Sequence, residues 1–288
     1  MATTHTLRSA DNRTLEVHEI GDPSGFPVLM HHGTPASGLP YARWATPGVR
    51  LLAYDRGGYG GSSRVRGRDI AAVARDIEWI ADALELERFA TWGISGGGPH
   101  ALACAALCGD RLTAVASLAG VAPWGADGLD WLAGMGEGNL EEFDLVLAGE
   151  DALRPAVERD RAQMIEASPE GMREVFDTLL GDADRAVLAG ELIEYMHANT
   201  IHALQTNADG WIDDNLAFVR PWGFDLAAIS RPVLIVQGGD DRFVPRSHGE
   251  WLAAHVPGAE PWITDADGHL TLMEHRVGEV HDWLLSRS

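Results

Sequence analysis

The sequence predicts an α/β fold: a mostly parallel eight-stranded sheet with helices on both faces and an inserted helical cap. Three observations carry that expectation. Short apolar runs alternate with longer segments of helical period, the pattern of parallel strands and their crossover helices. A glycine-rich turn, Gly93-Ile94-Ser95-Gly96-Gly97, joins one such run to a helix that opens with Pro99. From about Trp124 to Pro221, strand signals give way to acidic helical sequence containing Trp and Met.

Taken in order, strands are expected near Thr4–Arg8, Thr14–Ile20, Val28–His31, Arg50–Tyr54, Phe89–Gly93, Leu112–Leu118, Val233–Gln237 and Pro261–Thr264. The first two read as an antiparallel hairpin joined through Asp11-Asn12-Arg13. Asp69–Leu84, with apolar residues at Ile70, Val73, Ile77, Ile80 and Leu84, has helical period, as do Pro99–Cys108, His248–His255 and Thr271–Ser286. These helices supply the crossovers that parallel strands require. At 288 residues, one α/β domain carrying an insertion suffices. The expected division is a core of 1–123 and 222–288 and a cap of 124–221.

With 45% hydrophobic and 23% charged residues, the composition is that of an ordinary folded protein. A formal charge of −21, from 43 acidic against 22 basic residues, repels phosphate backbones and anionic lipid, so neither nucleic acid nor a membrane is an expected partner. Every basic residue is Arg, and without lysine neither a Schiff base nor a Walker-A phosphate site can form. Cys104 and Cys108, four residues apart on one helix, suit neither a disulfide nor structural zinc and read as buried small hydrophobes. Met1–Ala10 lacks the apolar stretch of a signal peptide, and no segment has the roughly 18 consecutive apolar residues of a membrane span. The expectation is a cytoplasmic protein.

The turn around Ser95 matches G-x-S-x-G in the strand-to-helix setting of a nucleophile elbow. Such a turn strains the serine backbone and lifts its hydroxyl above the sheet, with the following helix aiming amide groups at the site. A serine hydroxyl needs a base, and the base needs an acid that fixes its tautomer. Carboxylates follow the strand Val233–Gln237 at Asp240 and Asp241; one serves as the acid, and the other forms a turn or caps the next helix. His269 follows the last strand and precedes the last helix, completing the order serine, aspartate, histidine. The loop His31-His32-Gly33-Thr34-Pro35 supplies backbone amides for an oxyanion hole, with Thr34 and Gly96 as the expected donors. His31 and His32 are adjacent on a strand, so they point to opposite faces, and no carboxylate cluster accompanies them; no metal is expected.

Together these elements resemble the α/β-hydrolase superfamily over nearly the whole chain, and within it the cap-bearing branch of esterases, proline iminopeptidase-like enzymes, haloperoxidase-type perhydrolases and carbon–carbon bond hydrolases. Tyr54-Asp55-Arg56-Gly57-Gly58-Tyr59-Gly60-Gly61-Ser62 is similar to the family's D-x-x-G-x-G-x-S loop, with Gly58 where proline is frequent. Arg231-Pro232-Val233 matches the approach to its acid strand, and the spacing of Gly238, Asp241, Val244 and Pro245 implies Asp241 as the acid. Dehalogenases and epoxide hydrolases of the superfamily carry aspartate at the elbow, so Ser95 disfavours both activities.

The resemblance implies a serine hydrolase without cofactor that cleaves a small or medium apolar carboxylic ester through an acyl-enzyme on Ser95. Its partner is a small-molecule substrate, with a homodimer left open. Trp124, Trp131, Met135, Tyr195, Met196 and Trp211 are candidates for a pocket wall, although such residues at helical spacing more often pack a core. Glu141, Glu142, Glu191 and Glu194 leave open an aminopeptidase or amidase that grips an α-amino group. A small-molecule receptor with the same fold and slow turnover is the third alternative.

Overall fold

The computed structural model describes residues 3–9 and 12–288. Met1, Ala2, Ala10 and Asp11 lie outside them, and with them parts of the N-terminal stretch and of the expected hairpin turn. The strands are β1 (Thr3–Arg8), β2 (Thr14–Gly21), β3 (Phe26–His31), β4 (Val49–Tyr54), β5 (Phe89–Ile94), β6 (Leu112–Leu118), β7 (Val233–Gly238) and β8 (Glu260–Thr264). They form one sheet in the order β1-β2-β4-β3-β5-β6-β7-β8. β2 runs antiparallel to both β1 and β4; every other pairing is parallel.

Burial explains this order. Every residue of β5, β6 and β7 is buried, as expected of central strands covered on both faces, whereas β1 at the edge is largely exposed. Along β3 the period of two sorts the side chains. Val28 and Met30 join the core on one face of the sheet, and Leu29 joins the core on the other. The chain reverses its direction of growth across the sheet at β3 and β5, which opens a crevice at their C-terminal ends.

Helices α1 (Val73–Ala83) and α2 (Gly97–Leu107) flank β5 in sequence. Six helices and no strand fill the stretch between β6 and β7: α3 (Glu137–Ala148), α4 (Glu150–Glu166), α5 (Met172–Val175), α6 (Asp182–Val187), α7 (Gly190–Leu204) and α8 (Asp209–Phe218). α9 (Arg246–His255), α10 (His269–His275) and α11 (Val277–Leu285) complete the chain. No helix among the described residues is long and apolar enough to cross a membrane.

Two expectations need correction. The first helix starts at Val73, not Asp69, because the Ala71 N–H donates to the Trp222 carbonyl at 2.8 Å and the Ala72 N–H to Asp69 Oδ1 at 2.8 Å. The last helix is two, broken at Arg276, whose φ is −107° and whose guanidinium Nε donates to Asp267 Oδ2 at 2.8 Å.

Candidate active site

Ser95 sits between β5 and α2 with φ of 56°, a left-handed conformation that a non-glycine residue holds only under strain. Its N–H donates to the Leu118 carbonyl at 2.9 Å, and its own carbonyl accepts from Gly98 at 2.9 Å. The flanking glycines have a steric reason: a side chain on Gly93 would overlap the Gly97 carbonyl, and one on Gly97 would overlap the His31 carbonyl. The elbow is therefore wedged directly against the loop that follows β3. A methyl group on Gly33 would stand 3.9 Å from Ser95 Oγ.

The end of β7 delivers Asp241, the expected acid. Asp241, 4% exposed, accepts the N–H groups of Phe243 and Val244 on Oδ1 at 2.9 and 2.8 Å. That leaves Oδ2 for His269 Nδ1, 2.8 Å away, with Gln237 Nε2 at 3.3 Å. His269 is the first residue of α10, and Phe243 stacks on its ring at 4.5 Å between centroids and 22° between planes. Burial disfavours charge on the imidazole, but the Asp241 and Asp184 carboxylates outweigh it and raise its pKa above the ordinary histidine value. With Nδ1–H donated to Asp241, the tautomer presents a basic Nε2.

Ser95 and His269 line one cavity together with Gly33 and Thr34, at the C-terminal ends of β3 and β5. No hydrogen bond links Ser95 Oγ to His269 among the described residues; such bonds commonly tighten only when substrate binds. The N–H groups of Thr34 and Gly96 have no hydrogen-bond acceptor among the described residues, and both residues line a second, smaller cavity on Ser95. A side chain at Gly96 would overlap Thr34 Oγ1, so the two residues pack directly against each other.

Asp240 does cap a helix, but in the insertion: its Oδ2 accepts the Ala183 N–H of α6 at 3.0 Å, rather than capping α9. His31 and His32 are loop-packing residues. His31 Nδ1 contacts the Tyr54 hydroxyl at 3.0 Å; His32 Nδ1–H donates to the Gly33 carbonyl at 2.8 Å while its Nε2 accepts from the Arg56 N–H at 3.0 Å. Cys104 and Cys108 are free and buried. Of the proposed wall residues, Tyr195 and Met196 line the main cavity and Met135 the second one. Trp124, Trp131 and Trp211 line neither, because they pack among the helices; Trp131 donates to the Ala122 carbonyl at 2.7 Å and Trp211 to Glu142 Oε1 at 2.6 Å. Glu141, Glu191 and Glu194 are exposed, whereas Glu142 lines the second cavity.

Sequence reasoning missed four supports of the site. Phe243 is one. The second is Asp184 of α6, which accepts the first three N–H groups of α10: His269 at 2.9 Å, Leu270 at 2.8 Å and Thr271 at 3.1 Å. The third and fourth form a buried ion pair beneath the loop that follows β3. Arg56 donates to the carbonyls of His32 at 2.8 Å and Gly33 at 3.1 Å and pairs with Asp214 of α8 at 2.6 Å, while Thr34 Oγ1 donates to Asp214 Oδ2 at 2.8 Å. Burial alone would raise the Asp214 pKa, but Arg56 and Arg68 hold it well below the usual carboxylate range. The only sequence signal was the position of Arg56 inside the Tyr54–Ser62 loop.

A family model described as alpha/beta hydrolase fold matches residues 27–276. The chain is 26% identical over 286 residues to an uncharacterized hydrolase of Bacillus subtilis (strain 168), spanning 96% of this chain and 95% of that protein. A non-heme chloroperoxidase of Streptomyces lividans is 26% identical over 246 residues, 83% of each protein. An esterase from Exiguobacterium antarcticum superposes with a TM-score of 0.70 at 20% identity, over 98% of this chain and 100% of that one, a likeness of fold alone. The chain is a hydrolase belonging to the alpha/beta hydrolase fold family.

Proposed function

We propose that this protein hydrolyses small or medium apolar carboxylic esters through an acyl-enzyme on Ser95. The observation that carries the reading is the 2.8 Å contact of His269 with Asp241 in the cavity that also exposes the strained Ser95. His269 Nε2 takes the Ser95 proton as Oγ attacks the ester carbonyl, and Asp241 stabilises the imidazolium. The oxyanion falls to the amides of Thr34 and Gly96, dipoles already in place before charge develops. The imidazolium then protonates the departing alcohol, and water, activated by the same histidine, releases the acid.

Substrate class follows from the walls. Phe176, Tyr195, Met196, Phe243, Leu270 and Met273 surround a cavity of about 110 Å³, which suits a compact apolar acyl or alkoxy group. Glu142 is the one observation favouring an aminopeptidase or amidase, since it alone brings a carboxyl group to either cavity. Burial pushes it up to about 7, however, and Trp211 and Asn215 both donate to its Oε1, so it presents a weakened anchor for an ammonium group. Ester hydrolysis is therefore the better fit.

Ser95→Ala should lower turnover of p-nitrophenyl acetate by roughly 10⁶-fold if serine and histidine act as a unit. A variant that keeps near wild-type turnover refutes the assignment. Comparing kcat/KM for p-nitrophenyl esters with that for aminoacyl p-nitroanilides separates the two substrate classes.

A further inference from the structure

Away from the Ser95 cavity, four side chains with metal-ligand chemistry converge: Glu16 and His18 of β2, Asp55 just beyond β4, and His202 of α7. One ligand atom from each lies within 4.8 Å of all the others. Their convergence follows from the sheet. Glu16 and His18, two residues apart, share a face of β2, and the Asp55 N–H donates to the Glu16 carbonyl at 2.9 Å, continuing the β2–β4 ladder. The insertion brings the fourth group, His202.

We infer that these four residues form a binding site for a first-row divalent transition ion of the zinc class, which would pin the helical insertion to the sheet. Two imidazoles and two carboxylates make a donor set that suits zinc and its neighbours better than calcium or magnesium, which take oxygen ligands. Ligands about 2.0–2.2 Å from a tetrahedral ion stand about 3.3–3.6 Å from one another. Asp55 Oδ2 is 2.9 Å from His202 Nε2 and 3.6 Å from His18 Nε2, while Glu16 Oε2 is 4.0 Å from His202 Nε2. Small side-chain shifts bring all four to that spacing.

A second observation points to a ligand independently of the cluster. His18 is 2% exposed, and its Nε2 is buried without a hydrogen-bond partner, aimed at the other three groups. That nitrogen stands 3.6 Å from Asp55 Oδ2, beyond good hydrogen-bond distance, and a metal ion between the two would satisfy both. Its other nitrogen, Nδ1, contacts Thr4 Oγ1 at 3.2 Å, the outer hydrogen bond that orients a metal-bound imidazole. The space is kept open by two consecutive glycines: a side chain on Gly60 would overlap Asp55 Oδ2 and crowd His202 Nε2, and one on Gly61 would overlap the Glu16 carboxylate. His202 and Glu16 are about a fifth and a quarter exposed, which gives an ion a path from solvent.

The test is titration of EDTA-treated, dialysed protein with Co²⁺, whose visible d–d bands report coordination geometry, followed by displacement with Zn²⁺. Wild-type protein should bind one equivalent with four- or five-coordinate bands, and Zn²⁺ should raise its melting temperature by about 5 °C. His18→Asn and His202→Asn should abolish both effects, Glu16→Gln should weaken them, and His255→Asn, at an exposed histidine elsewhere, should change neither. If His18→Asn does not fold, His202→Asn decides alone, because that ring is partly in solvent. Absence of Co²⁺ binding by wild-type protein, or the same bands and stoichiometry in His202→Asn, overturns the site and leaves the cluster a plain Asp55–His202 ion pair. The readout is independent of ester hydrolysis, and Ser95→Ala should bind Co²⁺ as wild type does.

Discussion

Replacing Asp184 separates how the insertion supports His269, the base of the proposed mechanism, from how the core does. Asp184 is fully buried and accepts three consecutive N–H groups at the start of α10, of which the first belongs to His269. They are orphan donors of a helix N-terminus, with no carbonyl of their own helix to receive them. Asp184→Ala strands all three in the interior. At about 1 kcal/mol or more each, partly offset by no longer burying a carboxyl group, the loss should be about 2–4 kcal/mol. Asp184→Asn retains one accepting oxygen and should lose roughly half as much. The kinetic effect differs in sign. His269 must be neutral to take the Ser95 proton, and its raised pKa means that kcat/KM begins to fall while pH is still above the ordinary histidine value. Asp184→Asn removes one of the carboxylates that raise it, so the acid limb should move to lower pH even as the plateau drops. Thermal melts and kcat/KM profiles from pH 5 to 9 on a p-nitrophenyl ester give both readouts. An acid limb that stays put, with an unchanged melting temperature, would refute the role.

Two other perturbations follow from buried charge. Asp214→Ala leaves Arg56 and Arg68 without their shared carboxylate in the interior, which should cost about 3–5 kcal/mol by urea denaturation; a loss below about 1 kcal/mol would contradict the pairing. Glu142→Gln should match wild-type stability near pH 5 and exceed it above pH 8. A carboxyl raised to about 7 contributes stability in full below its unfolded value and loses it as pH rises through 7, a difference of up to about 3 kcal/mol that glutamine does not incur. Parallel melting curves for the two proteins across that range would show that Glu142 is not desolvated.

The fold was legible wherever one local signal decided an element. β5, β6 and β7 are buried on both faces and so read as mostly apolar runs, and all eight strands begin and end within two residues of their expected bounds. Helix ends were legible only where local chemistry sets them. The apolar period that joins Leu270 and Leu272 to Val277, Val280 and Leu284 runs through Arg276 without interruption, and the break there comes from a tertiary bond to Asp267. Likewise, Ala71 is kept out of α1 by the carbonyl of Trp222, which lies far away in the chain.

The same division runs through the site. Ser95, Asp241 and His269 each follow the end of a strand, and strand ends carry strong signals, so the candidates that share this site could be placed from sequence. Two of the groups that hold them, Asp184 and Asp214, come from the insertion, where a supporting acid looks like any other. Asp213 and Asp214 make the point: neighbours on α8, one pairs with the partly exposed Arg64 at 2.8 Å, and the other is sealed beneath the loop that follows β3 with Arg56. Nothing local distinguishes them: both are buried, and the difference is which arginine each meets in the folded chain. Asp184 is equally hidden between Asp182 and Arg185, although it holds the first turn of the helix that begins at His269. Asp184 and Asp214 thus support the candidate site at two places, one at His269 and one at Thr34 in the loop after β3. Changes in the insertion should therefore alter turnover without touching a reacting atom, and substitutions on the outward faces of the same helices should not.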